Sequence, residues 1–293
     1  NAERPVRCVR AGLLCEMKGI IMNREEEIVA RSLSYRKQYV EDTPGWYRGE
    51  LHLGFTLAFT IGVVWYCAAQ LQNTTWQEWL FVVIPMFLFG NWAEWAGHRY
   101  LLHSPKSWIK PAYKRHVATH HQFFSHKTLD YNGHKEWRAL LFPPFAPVLF
   151  VLAALPAALL IGNLWSANAG YIAMLTMASY FLMYEGLHTL SHLEHPILDR
   201  LPLVNTVRRM HVLHHNPDFM HTRNFNLTFP ICDALFGTSD LDKGVLGTLF
   251  NGMSDEARKA EDKAKLVAQQ NERASTVAEA EPASTVPAAQ ARA

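Results

Sequence analysis

Ten of the fifteen histidines in this chain fall into four spaced groups. His98 and His103 form the first. His116, His120 and His121 form the second, His188 and His192 the third, and His211, His214 and His215 the fourth. Residues three and four apart share a helical face, so most of these spacings gather imidazoles on one side of a helix. His98 and His103 are the exception, standing about 140° apart on an ideal helix. They need a bend to share one ion, or else serve two neighbouring ions. Neutral imidazole suits zinc, copper, iron and nickel. One ion takes three to six ligands, so ten histidines fit a pair of ions. Left without metal and brought together, they would suffer desolvation or mutual repulsion.

The same residues exclude other metal chemistry. No His-Glu dipeptide occurs, so a zinc hydrolase of the H-E-x-x-H type is absent. No carboxylate pair at ligand spacing matches the Glu-x-x-His di-iron bundle. Glu94, on one stripe with Asn91 and His98, and Glu185, on one stripe with His188 and His192, are expected to accept the non-ligating N–H of nearby imidazoles. His195 is expected to sit behind the ligands or to face substrate, with a structural role as the equal alternative. His52, His126, His134 and His221 are expected to be interfacial or solvated.

The elements that carry these histidines are apolar. Hydrophobic residues make up 49% of the 293-residue chain, yet the mean hydropathy is only −0.07, so apolar and polar segments alternate. Four runs, at about 51–71, 76–97, 140–162 and 165–187, approach the ~20 residues needed to cross a ~30 Å hydrocarbon core. The links at 72–75 and 163–166 are short and lack Lys and Arg, whereas the remaining polar segments are rich in both. The positive-inside rule then places both termini and the histidines on the cytoplasmic side. The expected fold is an all-α membrane protein. Four transmembrane helices form two hairpins, and a cytosolic helical cap carries a histidine-rich dimetal site.

Residues 23–50 read as a juxtamembrane amphipathic segment, 51–240 as the membrane domain, and 241–293 as a charged and then disordered tail dispensable for chemistry. Residues 1–22 are expected to be a non-native or over-extended N-terminus, with Met22 the natural start and no cleaved signal peptide. The four cysteines form no C-x-x-C pair and imply no disulfide framework. The net charge of +2 argues against a nucleic-acid partner.

The boxes HX4H, HX3HH, HX3H and HX2HH, with the closing segment "NFNLTFPICDALFGT" (224–238), resemble the fatty acid hydroxylase/sterol desaturase superfamily of integral-membrane di-iron oxygenases over about residues 81–238. The closing segment departs from the family pattern at Asn226, where glycine is common, and at Cys232, where tryptophan is common. The resemblance implies that His98, His103, His116, His120, His121, His188, His192, His211, His214 and His215 bind two iron ions, with zinc able to substitute in purified protein. It also implies O2 as co-substrate and hydroxylation or desaturation of a lipid C–H bond in lipid biosynthesis, with a fatty-acyl chain as the leading substrate and a sterol or carotenoid as alternatives. The contrasting reading is a non-catalytic zinc-binding membrane protein. The segment before the first run is too short for a haem domain, and ferredoxin cysteines and a nucleotide-binding glycine loop are missing. Electrons are therefore expected from a separate reductase, ferredoxin or cytochrome.

Overall fold

A computed structural model describes residues 23–240, apart from residues 194 and 202. The expectations for 1–22 and 241–293 lie outside the described residues. Within them the chain is helical and has no strand. The main elements are α1 (Arg24–Glu41), α2 (Gly49–Ala69), α3 (Trp76–Gly97), α4 (Lys110–Arg115), α5 (His121–Phe123), α6 (Trp137–Leu140), α7 (Ala146–Leu164), α8 (Ala167–Ser191), α9 (Val204–His214) and α10 (Ile231–Leu235).

Three of the long helices start where the sequence supplies a cap. Asn23 and Glu26 close a capping box at α1, and Thr75 and Glu78 close another at α3. Ser166 caps α8 by accepting from Ala169 N at 3.1 Å. The Ser166 hydroxyl also donates to Glu78 at 2.5 Å, and the Asn168 amide donates to the Gln72 carbonyl at 2.6 Å. The two short links therefore meet at one end of the bundle, as two hairpins require.

α8 is the centre of that bundle and packs against α2, α3, α7 and α9. Its buried Ile172, Ala173, Met174 and Met177 meet Cys67, Val82, Met86, Ala154 and Ala158 of the surrounding helices. At Gly170 a side chain cannot fit, because a Cβ there would stand 2.8 Å from the Ala158 carbonyl oxygen. This close approach sets the α7–α8 spacing.

Among the described residues three helices are long and apolar enough to cross a membrane: Gly49–Ala69, Trp76–Leu102 and Ala146–Leu164. The run expected as a fourth span at 165–187 is α8, but it falls short in apolarity. Thr176, Tyr180, Tyr184, Glu185 and His188 all lie on it. The physical reason is its position: a helix wrapped by three others need not present an apolar surface to lipid. The third run was expected at 140–162, yet its helix begins at Ala146. The chain is already extended at Leu141, and Pro143 and Pro144 disfavour α conformation at Phe142 and Pro143, so the helix restarts only later.

α1 lies on the cap. Its Ser32 hydroxyl donates to the Phe123 carbonyl at 2.9 Å, and its Arg36 pairs with Glu136 in a largely buried fork. Asn91, Glu94 and Trp95 on α3 receive the segment 224–238. Trp95 Nε1 donates to Thr238 Oγ1 at 2.9 Å, and Asn226 Nδ2 donates to the Asn91 carbonyl at 2.9 Å.

Candidate metal centre

α3 does not stop at Gly97. It continues as a π turn, His98–Leu102, closed by His103 N donating to the His98 carbonyl at 3.1 Å. A second π turn, His116–His120, follows α4 and ends with His121 N on the His116 carbonyl. The i→i+5 bond of a π turn brings residues five apart onto one face, where an α-helix would splay them. This is the bend that the HX4H spacing needs, and the chain uses it twice: for His98 with His103 and for His116 with His121.

Two groups of buried histidines result. His98, His103, His116, His121 and His214 form the first, and His120, His188, His192 and His211 the second. Within each group the ligand atoms lie within 4.8 Å of one another. Adjacent histidines in the doublets separate, His121 going to the first group and His120 to the second. His214 likewise joins the first group, while His215 places its Nε2 3.1 Å from that of His211. The rings of His121 and His215 stack at 4.2 Å and join the groups.

Backbone carbonyls orient the rings. Nδ1 of His98 faces Phe225 O at 2.6 Å, and that of His214 faces Arg223 O at 2.8 Å. Nδ1 of His120 faces Ala139 O at 3.1 Å, and that of His192 faces Leu129 O at 2.9 Å. Nδ1 of His215 faces Phe124 O at 2.6 Å. A carbonyl only accepts, so each of these Nδ1 atoms carries the proton and each partner Nε2 presents a lone pair.

Those lone pairs converge. In the first group His116 Nε2 lies 2.8 Å from Nε2 of His98, and 3.1 Å from those of His103 and His121. One N–H could satisfy at most one of these contacts. In the second group His211 Nε2 lies 2.8 Å from His192 Nε2 and 3.1 Å from His215 Nε2, and both of the latter are acceptors. Protonation offers no relief. Burial first, and neighbouring imidazoles second, hold His116, His120, His121, His192, His211 and His214 well below the usual imidazole range. His215 is lowered to about 3, again by burial. Neutral, inward-facing, all-nitrogen donor sets fit cations of the imidazole-preferring metals.

The remaining expected site residues fall elsewhere. Glu94 does not serve a ring nitrogen as expected. Its carboxylate takes the Leu227 and Thr228 amides (3.1 Å for Thr228), the Thr228 hydroxyl at 2.6 Å and the Tyr180 hydroxyl. The closing segment and Tyr180 supply the donors that its oxygens accept. Glu185 Oε1 accepts from Phe142 N at 3.0 Å, while its Oε2 and His188 Nδ1 are buried with no hydrogen-bond partner. His195 is exposed and caps its own turn, with Nδ1 accepting from Ile197 N at 3.3 Å. His52, expected at the interface, is buried between the Tyr47 hydroxyl (2.8 Å) and the Phe142 carbonyl (2.7 Å). His126 and His134 pair with Glu25 and Glu50. His221 is exposed, with its ring 5.2 Å from that of His103.

Sequence reasoning missed the orienting carbonyls, which carry no side-chain signal. It also missed Asp233, although Asp233 lies in the quoted closing segment. Burial raises its carboxyl to about 6 against the donors that hold it.

A cavity of about 340 Å³ opens beside both groups. His116, His120 and His188 form its floor. Leu102, Ala112, Leu140, Phe142, Phe145 and Tyr184 supply much of its mainly apolar wall.

Residues 83–238 match the fatty acid hydroxylase family model, a stretch that holds all ten grouped histidines, the cavity floor and the closing segment. No curated protein and no solved structure gives a significant match to the chain.

Proposed function

Because the chain belongs to the fatty acid hydroxylase family, within the fatty acid hydroxylase/sterol desaturase superfamily, we propose that it is a membrane di-iron oxygenase acting on a lipid C–H bond. The observation that carries this reading is the pairing of two all-imidazole groups with one apolar cavity that touches both.

His98, His103, His116, His121 and His214 would hold one ion, and His120, His188, His192 and His211 the other, with His215 beside the second. When bound, the two irons supply the reduction of O2. In hydroxylation one oxygen atom enters the lipid and the other leaves as water, with two electrons and two protons from outside. In desaturation both oxygen atoms leave as water, with two hydrogens from the lipid and the same two electrons and two protons from outside.

The chain's own residues bind, orient and dry the site. Five backbone carbonyls fix the tautomers and aim the lone pairs. Leu102, Ala112, Phe142 and Phe145 bind an extended apolar chain and exclude water from the reacting carbon. Leu102 ends the Trp76–Leu102 span and Ala146 begins α7, so a lipid chain can enter from the bilayer. This favours a fatty-acyl chain, in lipid biosynthesis, over a rigid sterol or carotenoid.

In this reading α8 is a fourth crossing, shielded by its neighbours, and about 37 Å long by its 25 residues. The charge pattern then puts the termini and the metals on the cytoplasmic side, where a separate electron-donor protein reaches them. The all-nitrogen donor set also suits zinc, which exceeds ferrous iron in intrinsic affinity.

Comparative lipid profiling with and without the protein is the test. The expected result is a product heavier by one oxygen or lighter by two hydrogens, with about two irons per chain in anaerobically purified protein. Tight zinc with no O2-dependent turnover after iron loading would sink the reading.

A further inference from the structure

The carbonyls that aim the two histidine groups come from two separate stretches of chain. For the first group they are Arg223 O, just before the closing segment, and Phe225 O, within it. For the second they are Leu129 O and Ala139 O, in the connection between α5 and α7. A ring is held only as well as the peptide that receives its N–H.

Each stretch is tied down by one carboxylate. Asp233 accepts from Phe225 N at 3.0 Å, from Asn226 N at 2.7 Å and from the Thr238 hydroxyl at 2.6 Å. It is fully buried, and the Phe225–Asn226 peptide whose N–H it accepts is the one whose carbonyl faces His98. Glu136 accepts from Asn132 N at 2.5 Å and from Arg36 Nε at 2.8 Å, with Arg36 Nη2 on its other contact. The Ala139 amide in turn donates to the Glu136 carbonyl at 2.8 Å, which fixes the turn that presents Ala139 O. Arg36 itself lies over the Phe123 and Phe124 rings, next to the second group. The two braces share no residue.

We propose that Asp233 and Glu136 are positioning residues, each for a different ion: Asp233 for the His98–His103–His116–His121–His214 site, and Glu136 for the His120–His188–His192–His211 site. The inference rests on the dimetal reading above and adds that the two affinities are separable. An amide in place of either carboxylate keeps the shape but turns an N–H2 toward a donor. Loss of such an outer support typically weakens a metal site about 10–100-fold.

The experiment uses the full chain in lipid nanodiscs, stripped with chelator and reloaded without oxygen. Ferrous iron is supplied at the lowest concentration that saturates the unsubstituted protein, and metal is counted per chain. The expected counts are about two for the unsubstituted protein, about one for Asp233→Asn, about one for Glu136→Gln and close to none for the double variant. Helicity and monodispersity are recorded for each. Where an amide variant does not fold, Thr238→Ala replaces the first and Arg36→Lys the second, with the same expected pattern. A general folding defect would remove both ions together, and that result overturns the inference. So does a double variant that keeps one ion, because both carboxylates would then act at one site, and so does full loading of both single variants. An unsubstituted protein that takes fewer than two ions overturns the dimetal reading itself, a failure visible before any variant is compared.

Discussion

The Nε2 atoms of His192 and His211 stand 2.8 Å apart, although Nδ1 of His192 already faces the Leu129 carbonyl. His215 Nε2, an acceptor too, stands 3.1 Å from the same His211 nitrogen, so a single His211 N–H cannot serve both and a cation is what relieves the contact. Metal removal is therefore expected to destabilise the fold. Chelator-treated protein should melt at lower temperature than iron-loaded protein in the same nanodisc, with the gap widening as free metal rises. Equal melting temperatures across metal concentrations would contradict this.

Ligand loss should divide between the groups. His214→Ala removes a member of the first and His188→Ala a member of the second. Each is expected to reduce product below about 1% of normal while the protein still inserts in the membrane, since a missing first ligand costs more than the 10–100-fold of an outer contact. Quantified product against membrane-extracted protein checks it. Full activity in either variant ends that assignment.

The pH dependence of the metal-free protein follows from burial. His116, His120, His121, His192, His211, His214 and His215 have lowered folded-state values, whereas the unfolded chain protonates near the ordinary 6.5. Below about pH 6.5 the unfolded state binds more protons than the folded one, so stability falls as pH falls through that value. Denaturation midpoints of metal-free protein should drop steadily from pH 7.5 to 5. A flat profile over that window contradicts the buried, neutral site.

Glu94 is expected to act on the closing segment rather than on a ring. Glu94→Gln loses one acceptor among four donors, at about 1–3 kcal/mol. Thermal stability in nanodiscs reads this, and an unchanged transition contradicts the role.

Gly170 tests the bundle. Its missing Cβ lies against the Ala158 carbonyl and the Gly162 Cα, both backbone, so α7 and α8 must separate to admit a methyl. Gly170→Ala should destabilise by about 1–3 kcal/mol. Gly186→Ala, where nothing lies within 4 Å of a Cβ, is the comparison and should be near neutral.

The amino-acid sequence by itself determined the helical class, three of the four expected apolar runs and the ten histidines that come together. These are periodic or compositional properties: apolar length, charge asymmetry and residue type at fixed spacing, all legible along one dimension. It did not determine that α8 lies inside the bundle, because burial by protein and burial by lipid impose different polarity on a helix, and only packing says which applies. Nor did it reveal the π turns, since an i→i+5 bond at His98 or His116 leaves no mark in residue identity. The division of His120 from His121 and of His214 from His215 between groups follows from those turns and from where α9 meets α8. The partners of the rings were the least legible. Glu94 and Glu185 shared a helical face with histidines, yet the rings found Phe225, Arg223, Leu129, Ala139 and Phe124 carbonyls instead. Every residue carries a carbonyl, so its use as a support is decided only by tertiary structure, which brings one particular peptide within hydrogen-bonding distance of one particular ring.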